Sequence, residues 1–286
     1  MKAHKEVFGI ERMCRVFQIS RSSYYKWLGY PISARAQENE RLTVEIRRIY
    51  EEHKGIYGSA KIHDQLCKEG YTISENRVAR LMQEAGLKSI TRKKAFRVST
   101  TDSDHNEAVC MNILNRVFKM EAPSRAWVSD ISYIPTAQGW LYLTMIMDLY
   151  DRKIIGWSLS EGLSAEETTI QAWKMACSNR AVGEGMIFHS DRGIQYAAEA
   201  FRDLLPEQVR QSMSRKANCW DNAVAESFFK ILKSELVNHV SFSSREMAKR
   251  EIFIFIEIWY NRQRTHSTLG YMTPEEFSQQ FYSSCA

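Results

Sequence analysis

Three acidic residues, Asp130, Asp191 and Glu226, stand where three separate elements could bring their carboxylates together. Sixty residues separate the first pair and 34 separate the second. Two divalent ions about 3.5–4 Å apart need a carboxylate that bridges them and one further carboxylate on each side. Hard oxygen ligands favour Mg²⁺ or Mn²⁺ over zinc. The set therefore predicts a two-metal site in which the three acids are both catalytic residues and metal ligands.

Each acid taken alone has an ordinary structural explanation, because an acidic residue at a strand end is commonly a turn former. Asp130, however, falls among β-branched residues, where an unpaired carboxylate is costly to bury. Asp191 stands where a strand opens into a loop. Glu226 lies one turn into a helix whose start is marked by Asp221 and Asn222. Three acids at such positions are hard to explain as turn formers.

The second half of the chain alternates between strand and helix patterns. Strands are predicted at 126–134, 141–147, 154–159, 186–188 and 209–213, and helices from about residue 165, around 201–205 and from Asn222 onward. The run 141–147 is almost continuously apolar, as expected of a central strand buried on both faces. Three strands followed by helix, strand, helix, strand and helix is the order of an RNase H-like mixed sheet. The predicted fold class is therefore α/β, preceded by small all-α helix-turn-helix domains.

The first 95 residues carry mainly helical patterns. Residues 1–30 predict a small helix-turn-helix, with Ser20 as the N-cap of its second helix. An amphipathic, highly charged helix is predicted over 38–54, and Ser74 is predicted to start a helix over 75–85. Such helices could contact phosphates and base edges of DNA. They could equally be helical pairs that pack on a neighbouring domain.

These patterns divide the chain into four parts. They are a helix-turn-helix at 1–30, a second helical DNA-binding domain at 31–95, a linker at 96–120, and a catalytic core with C-terminal helices at 121–286. The stretch that begins at Lys88 is first basic and then acidic, without a lasting period. It could lie along a phosphate backbone or serve as a solvated tether.

Charge is distributed unevenly along the 286 residues. The net charge is +8 over residues 1–120 and −3 over the remainder, which gives +5 for the whole chain. A basic first part favours binding of a polyanion. The candidate DNA-contacting residues of this part are Arg21, Lys26, Arg77, Arg80, Arg92, Lys93 and Lys94.

Neither a membrane span nor a secretory signal is predicted. No apolar run approaches the roughly 18–20 residues that cross a bilayer, and no apolar h-region follows the charged N-terminus. The six cysteines form no CxxC pair, which fits reduced thiols better than a disulfide framework. A cytoplasmic protein is the resulting expectation.

Several sequence blocks closely resemble the integrase-like DDE transposases of insertion-sequence family three, specifically the product of their second reading frame, OrfB. The core blocks are WVSDISYI (127–134), GWLYL (139–143), DLYDRKIIGW (148–157), HSDRGIQY (189–196), SMSRKAN (212–218), DNAVAESFF (221–229) and YNRQRTHSTLGY (260–271). Tyr57-Gly58 and RVARL (77–81) match the helical domain that precedes the core. Together the blocks are specific, and the resemblance covers nearly the whole chain.

The resemblance implies a retroviral integrase-type core, metal-dependent DNA cleavage and strand transfer, and Asp130, Asp191 and Glu226 as the triad. It also implies a basic residue seven positions after the glutamate, here Lys233, which shares a helix face with Glu226. Further DNA-binding candidates in the core are Arg192, Arg215, Lys216 and Lys230. One departure is that the family usually has 35 residues between its last two acids, whereas this chain has 34. The apolar run 252–256 has a local strand pattern, but the resemblance implies a helix.

Two functions remain open at this point. The main hypothesis is a DDE transposase that cuts DNA at element ends and joins the 3′-OH to target DNA, with two Mg²⁺ or Mn²⁺ ions. The alternative is a DNA-binding regulator, or a part of a larger transposase that is inactive alone. The resemblance implies an upstream partner, the OrfA product, joined by ribosomal frameshifting. Assembly as a homo-oligomer on insertion-sequence ends and target DNA is also expected.

Overall fold

The computed structural model describes residues 1–29, 33–91, 109–216 and 218–285. The chain forms two compact units, Met1–Ser89 and Ile90–Ala286. Within the described ranges, no helix combines the length and apolar character that a membrane span requires.

The first unit is helical. Its α-helices are α1 (Ile10–Val16), α2 (Arg21–Gly29), α3 (Ala34–Glu52), α4 (Ser59–Lys68) and α5 (Glu75–Glu84). The apolar stripes of α3, α4 and α5 supply its core, and Ile46, Ile62 and Val78 are fully buried there. Because these three helices bury their stripes against one another, each is stabilised mainly by packing rather than by intrinsic propensity.

Serine caps set the start of several helices in this unit. Ser20 Oγ accepts the N–H of Ser23 at 2.9 Å, as predicted for the second helix. Ser74 Oγ accepts the N–H of Arg77 at 3.3 Å, again as predicted. The charged helix α3 begins at Ala34, earlier than the predicted residue 38. The reason is that Ser33 caps it, with Oγ accepting the N–H of Ala36 at 3.2 Å.

The second unit is built on a five-stranded sheet. Its strands are β1 (Ala126–Thr136), β2 (Gly139–Asp148), β3 (Ile154–Ser160), β4 (Ile187–Ser190) and β5 (Arg210–Met213), in the order β3-β2-β1-β4-β5. β1 and β2 pair antiparallel, as do β2 and β3, whereas β4 pairs parallel to both β1 and β5. This is the RNase H-like mixed sheet that the sequence predicts, with all five strands at the expected positions.

Helices complete the second unit. They are α6 (Thr169–Asn179), α7 (Ile194–Ala197), α8 (Glu199–Arg202), α9 (Ala223–Leu232), α10 (Arg245–Phe253) and α11 (Pro274–Cys285). The core between the sheet and these helices is aromatic: Trp173 of α6 packs edge-on against Phe188 and Phe201, with ring centroids 5.2 and 6.4 Å apart. These aromatic contacts therefore pack α6 against α8 and against β4, the strand that leads to Asp191.

The structure shortens one predicted helix of this unit and confirms another. The helix predicted around 201–205 is only the short α8, which ends at Arg202, and Leu204 and Leu205 follow in a turn. The run 252–256 is helical, as the resemblance implied: α10 passes into a π-helical segment, Ile254–Tyr260. Its β-branched residues stay helical because Ile252, Phe255 and Ile256 are buried on one face.

The residues just before β1 pack on the second unit. Of the predicted linker 96–120, the structure describes residues 109–120. Leu114 is almost completely buried. The backbone N–H groups of Ile113 and Leu114 both donate to Ser212 Oγ of β5, at 2.9 and 3.2 Å. This stretch therefore contributes to the core unit and is not a solvated tether.

Candidate active site

Two neighbouring parallel strands position the two aspartates. The β1–β4 pairing runs through Val128 and His189, two residues before Asp130 and two residues before Asp191. Because adjacent strands lie roughly 4.7–4.9 Å apart, the two carboxylates emerge side by side at the end of this pairing. Asp191 is oriented by its own loop, where Oδ1 accepts the N–H of Gly193 at 2.9 Å.

The glycine at position 193 leaves room for this carboxylate. A Cβ at that position would stand 3.0 Å from Asp191 Oδ1 and 3.1 Å from Gln195 Oε1. Side chains larger than hydrogen would therefore push against the aspartate that the loop orients.

Helix α9 brings Glu226 over the same strand. Asn222, the N-cap residue of α9, donates from Nδ2 to the carbonyl oxygen of Ser129 at 3.1 Å. Asn222 and Glu226 are four residues apart, so they lie on the same side of the helix start. Glu226 is exposed, whereas Asn222 is buried. The glutamate thus reaches the aspartates from a helix that is tied to β1 by one buried amide.

The three carboxylates share one electrostatic environment. Burial raises the pKa of Asp130 well above its usual range, and the neighbouring charges of Asp191 and Glu226 raise it further. The N–H of Ile131, which donates to Asp130 Oδ1 at 2.9 Å, and the nearby Lys233 act in the opposite direction. The ionised form of Asp130 is therefore disfavoured by more than the neighbouring protein groups compensate.

Lys233 lies at the edge of this group of acids. It begins the π-helical segment Lys233–Val237 that continues α9, and it is half-buried. Burial lowers its pKa, while the charge of Asp130 opposes that effect. A partly desolvated ammonium beside three carboxylates is a suitable contact for a phosphate group.

The chemistry of the donors suits a hard divalent cation, because carboxylate oxygens are the ligands that Mg²⁺ and Mn²⁺ prefer. Across residues 1–29, 33–91, 109–216 and 218–285, no group of three His, Cys, Asp or Glu side chains is arranged so that it could hold a metal ion as it stands. The three acids interact electrostatically but do not form a preformed ligand set. Metal ligation by Asp130, Asp191 and Glu226 stays a prediction.

Tyr196 and Ser129 also lie at this site, although neither residue was selected from its sequence pattern. Ser129 Oγ donates to the carbonyl oxygen of Met145 at 2.8 Å, so Tyr196 Oη must donate in its own 2.8 Å contact with Ser129 Oγ. Burial raises the pKa of Tyr196, and the charges of Asp191 and Asp130 add to the effect. Its only sequence signal is that it ends the block 189–196.

The predicted DNA-contacting residues of the core have different surroundings. Lys216 and Lys230 are exposed. Arg192 is half-buried and donates from Nε to the carbonyl oxygen of Ser214 at 2.7 Å. Arg215 is bound to Asp221 through both Nε and Nη2, each at 2.8 Å. The two arginines therefore have structural partners that their sequence positions did not indicate, and their contact with DNA stays a prediction.

The predicted DNA-contacting residues of the helical unit also differ in their surroundings. Arg21 and Lys26 lie exposed on α2, and Arg80 is exposed on α5. Arg77 instead donates to Glu38 at 2.8 Å and to Asn39 at 2.7 Å, which ties α5 to α3. The remaining candidates, Arg92, Lys93 and Lys94, lie outside the described residues.

Known protein families match both units. An HTH-like domain model matches residues 37–95, and two integrase core domain models match residues 120–219 and 207–274. Among solved structures, a chain of a simian T-cell lymphotropic virus intasome, determined with a PP2A regulatory subunit, is 13% identical. That match covers 82% of this chain and 74% of the viral chain, with a TM-score of 0.47.

Curated relatives match at higher identity. An insertion element IS600 protein of 31 kDa from Shigella sonnei is 41% identical over 96% of this chain and 100% of its own length. The transposase InsF for insertion sequence IS3A of Escherichia coli (strain K12) is 35% identical over 97% of this chain and 96% of its own length. The chain therefore belongs to the IS3 family of insertion-sequence transposases, which are polynucleotidyl transferases with an integrase core.

Proposed function

We propose that Asp130, Asp191 and Glu226 are the catalytic residues of this transposase and that they hold two divalent ions, Mg²⁺ or Mn²⁺. The single observation that carries the proposal is the concentration of acidic groups around Asp130. This carboxylate is desolvated and is next to two more carboxylates, while a lysine and one backbone N–H oppose them. A bound cation would relieve that repulsion, because an opposite charge favours the ionised form of each acid.

The proposed reaction has two phosphoryl-transfer steps, a hydrolysis and a transesterification. In the first, water attacks a phosphodiester at an element end, the bond between phosphorus and the 3′ oxygen breaks, and a free 3′-OH is left. In the second, that 3′-OH attacks a phosphodiester of target DNA, and the target strand releases its own 3′ oxygen. Bound ions would stabilise the attacking and leaving oxygens. Lys233 would hold a non-bridging phosphate oxygen beside the acids.

The supporting residues keep this arrangement fixed. Asn222 holds the start of α9 on β1, and the N–H of Gly193 orients Asp191. Positioning of this kind accounts for much of catalysis in phosphoryl transfer, because little covalent chemistry is left to the protein.

The test is single-turnover cleavage and strand transfer on duplexes that carry the element's own ends. Asp191→Asn and Glu226→Gln should each abolish both steps in Mg²⁺ and in Mn²⁺, with the fold retained in circular dichroism. Asp203→Asn is the matched control, because Asp203 is an exposed aspartate of the same unit. If either site variant keeps near-normal strand transfer, that residue does not belong to the triad.

A second part of the proposal concerns partners. We propose that end recognition and pairing require the upstream OrfA-type product, as a fusion or a separate partner, and that the assembly on DNA is a homo-oligomer. The helices α1 and α2 have only 7 and 9 residues. The longest described helix, α3, has 19 residues and already buries Leu42, Ile46 and Ile49 within its own unit. Within the described ranges, this helix therefore offers no long free heptad stripe for a coiled coil.

A binding titration tests this part separately. The chain alone should bind duplex DNA with strong salt dependence and with little preference for element ends over scrambled sequence. Addition of the upstream partner should raise that preference. A preference of roughly 1000-fold or more by the isolated chain, the lower range for specific binding, would show that it carries its own end recognition.

A further inference from the structure

The turn that precedes Glu226 is held by a buried acid between two arginines. Asp221 is fully buried within the 3₁₀ turn Cys219–Asn222, directly before α9. It accepts hydrogen bonds from the backbone N–H of Arg215 at 3.0 Å and from the guanidinium of Arg215. It also accepts one from Arg116 Nε at 2.8 Å. We call Arg116, Asp221 and Arg215 the clasp.

Arg116 comes from a distant part of the chain. It lies in the stretch before β1, 105 residues before Asp221 in the sequence. It makes a second hydrogen bond, from Nη2 to Asn218 Oδ1 at 3.0 Å, at the other end of the same turn. One guanidinium therefore joins both ends of the turn 218–222, a planar two-point contact that an arginine makes better than a lysine.

The backbone at Arg116 is held in an uncommon conformation. Asn115 and Arg116 both have positive φ angles, 44° and 64°. For residues other than glycine this left-handed region is unfavourable, and it persists only where surrounding contacts enforce it. The burial of Leu114 and the two bonds of Arg116 are such contacts.

A buried histidine connects this stretch to the strand that leads to Asp191. Ser212 Oγ accepts the N–H groups of Ile113 and Leu114, so its own proton is directed at His189 Nδ1, 2.9 Å away. Nε2 then carries the ring proton and lies 3.3 Å from Ser214 Oγ. The charge of Asp221 also acts on this ring and opposes the lowering of its pKa by burial. Two residues after His189 stands Asp191.

The connections from the clasp therefore reach all three elements of the site. His189 lies in the strand that leads to Asp191, Asn222 bonds to β1 next to Asp130, and α9 starts immediately after the turn. We infer that Arg116 is a positioning residue for Glu226, which fixes the turn 218–222 and so sets the first turn of α9. This inference rests on the proposed role of Glu226.

The experiment compares Arg116→Ala and Arg116→Lys with the parent chain. Three quantities are measured: the single-turnover rate of strand transfer, hydrogen exchange of backbone amides in 218–228 and in β1–β2, and the melting temperature. Arg245→Ala is the matched control, because Arg245 also forms an ion pair in the same unit, with Glu161. It should leave the rate and the exchange of 218–228 unchanged.

Arg116→Ala should lower the rate by about 100-fold, the cost of a small misplacement of reacting groups, and should accelerate exchange in 218–228 but not in β1–β2. Arg116→Lys should restore part of the rate and part of the protection from exchange in 218–228. It keeps the positive charge facing Asp221 but loses the hydrogen bond to Asn218. Parental rate and exchange in Arg116→Ala would overturn the inference. So would a lower rate with unchanged exchange in 218–228, or uniformly faster exchange with a lower melting temperature.

The two proposals fail in different ways. If Glu226→Gln stays active, the proposed triad is wrong, whatever Arg116→Ala does to the turn. If Glu226→Gln is inactive but the turn is unchanged in Arg116→Ala, the triad stands and the positioning role of Arg116 is wrong.

Discussion

Two groups of acids, one around Asp130 of β1 and one around Asp148 of β2, differ in where their counter-charge comes from. Asp130 lies opposite Met145 in the β1–β2 register, and Asp148 lies opposite Trp127. Asp148 and its neighbour Asp151 are both fully buried. Arg180 is inserted between them, with bonds of 2.8 Å to Asp148 and 2.7 Å to Asp151. Arg180 therefore supplies the positive charge that balances the carboxylates of this second group.

Among the residues that the structure describes, no arginine bonds to Asp130 in this way. Burial raises the pKa of Asp148 as it does that of Asp130, but Arg180 opposes the shift at Asp148 directly. At Asp130 the nearest opposing cation is Lys233, and two further carboxylates act in the other direction. A buried acid with its own arginine is part of the scaffold, whereas an acid that is left among other acids is prepared for an external cation.

The largest expected effect is on the compensated group. Arg180→Ala leaves two buried carboxylates without their cation, and breaking a buried pair in this way costs about 3–5 kcal/mol of unfolding free energy. Urea denaturation of the variant and of Arg245→Ala, which breaks a more exposed pair, would measure the difference. Equal midpoints for the two variants would contradict the structural role assigned to Arg180.

A smaller effect is expected from the lysine next to the uncompensated group. Lys233→Ala should slow strand transfer on the order of 100-fold by misplacing the reacting phosphate. Affinity for bulk DNA should change little, because one phosphate contact among many contributes little to a salt-driven total. Single-turnover rates and a binding titration separate the two quantities. Lys174→Ala, which removes an exposed lysine of α6, is the control.

Equal single-turnover rates for Lys233→Ala and the parent would remove Lys233 from the reaction. A large loss of DNA affinity with an unchanged rate at saturating DNA would instead make it an ordinary binding residue.

The smallest effect concerns pH. Arg215, together with the backbone N–H of Arg215 and with Arg116, holds the pKa of Asp221 well below its usual range. A carboxyl whose folded-state pKa is lowered contributes stability above its unfolded pKa of about 4 and loses that contribution as the pH falls further. Unfolding free energy should therefore decrease below about pH 4. Asp221→Asn should flatten this decrease in urea titrations at several pH values, and an unchanged slope would contradict the assignment.

The sequence predicted the parts of the fold that follow from local patterns. Five strands, the serine caps of α2 and α5 and the helical state of 252–256 are as expected, since each depends on periodicity, on a cap or on the family resemblance. The places of the acids in these elements also followed: Asp130 lies within β1, Asp191 directly follows β4, and Glu226 lies in the first turn of α9.

Contacts between distant residues could not be predicted in this way. The bond between Arg116 and Asp221 spans 105 residues and depends on an uncommon backbone conformation. Arg77 and Arg215 were predicted to contact DNA, because charge at an apparent surface position is typical of a phosphate contact. In the folded chain both have carboxylate partners, and only the three-dimensional arrangement reveals those.

The most direct test of the comparison is to neutralise one acid from each group and to measure activity and stability in parallel. Asp130→Asn should abolish strand transfer and leave the unfolding free energy equal or higher, because it removes repulsion among the acids. Asp148→Asn should lower the unfolding free energy, because Arg180 loses a buried partner. If Asp130→Asn retains near-normal strand transfer, or destabilises the chain as much as Asp148→Asn does, the distinction between the two groups is wrong.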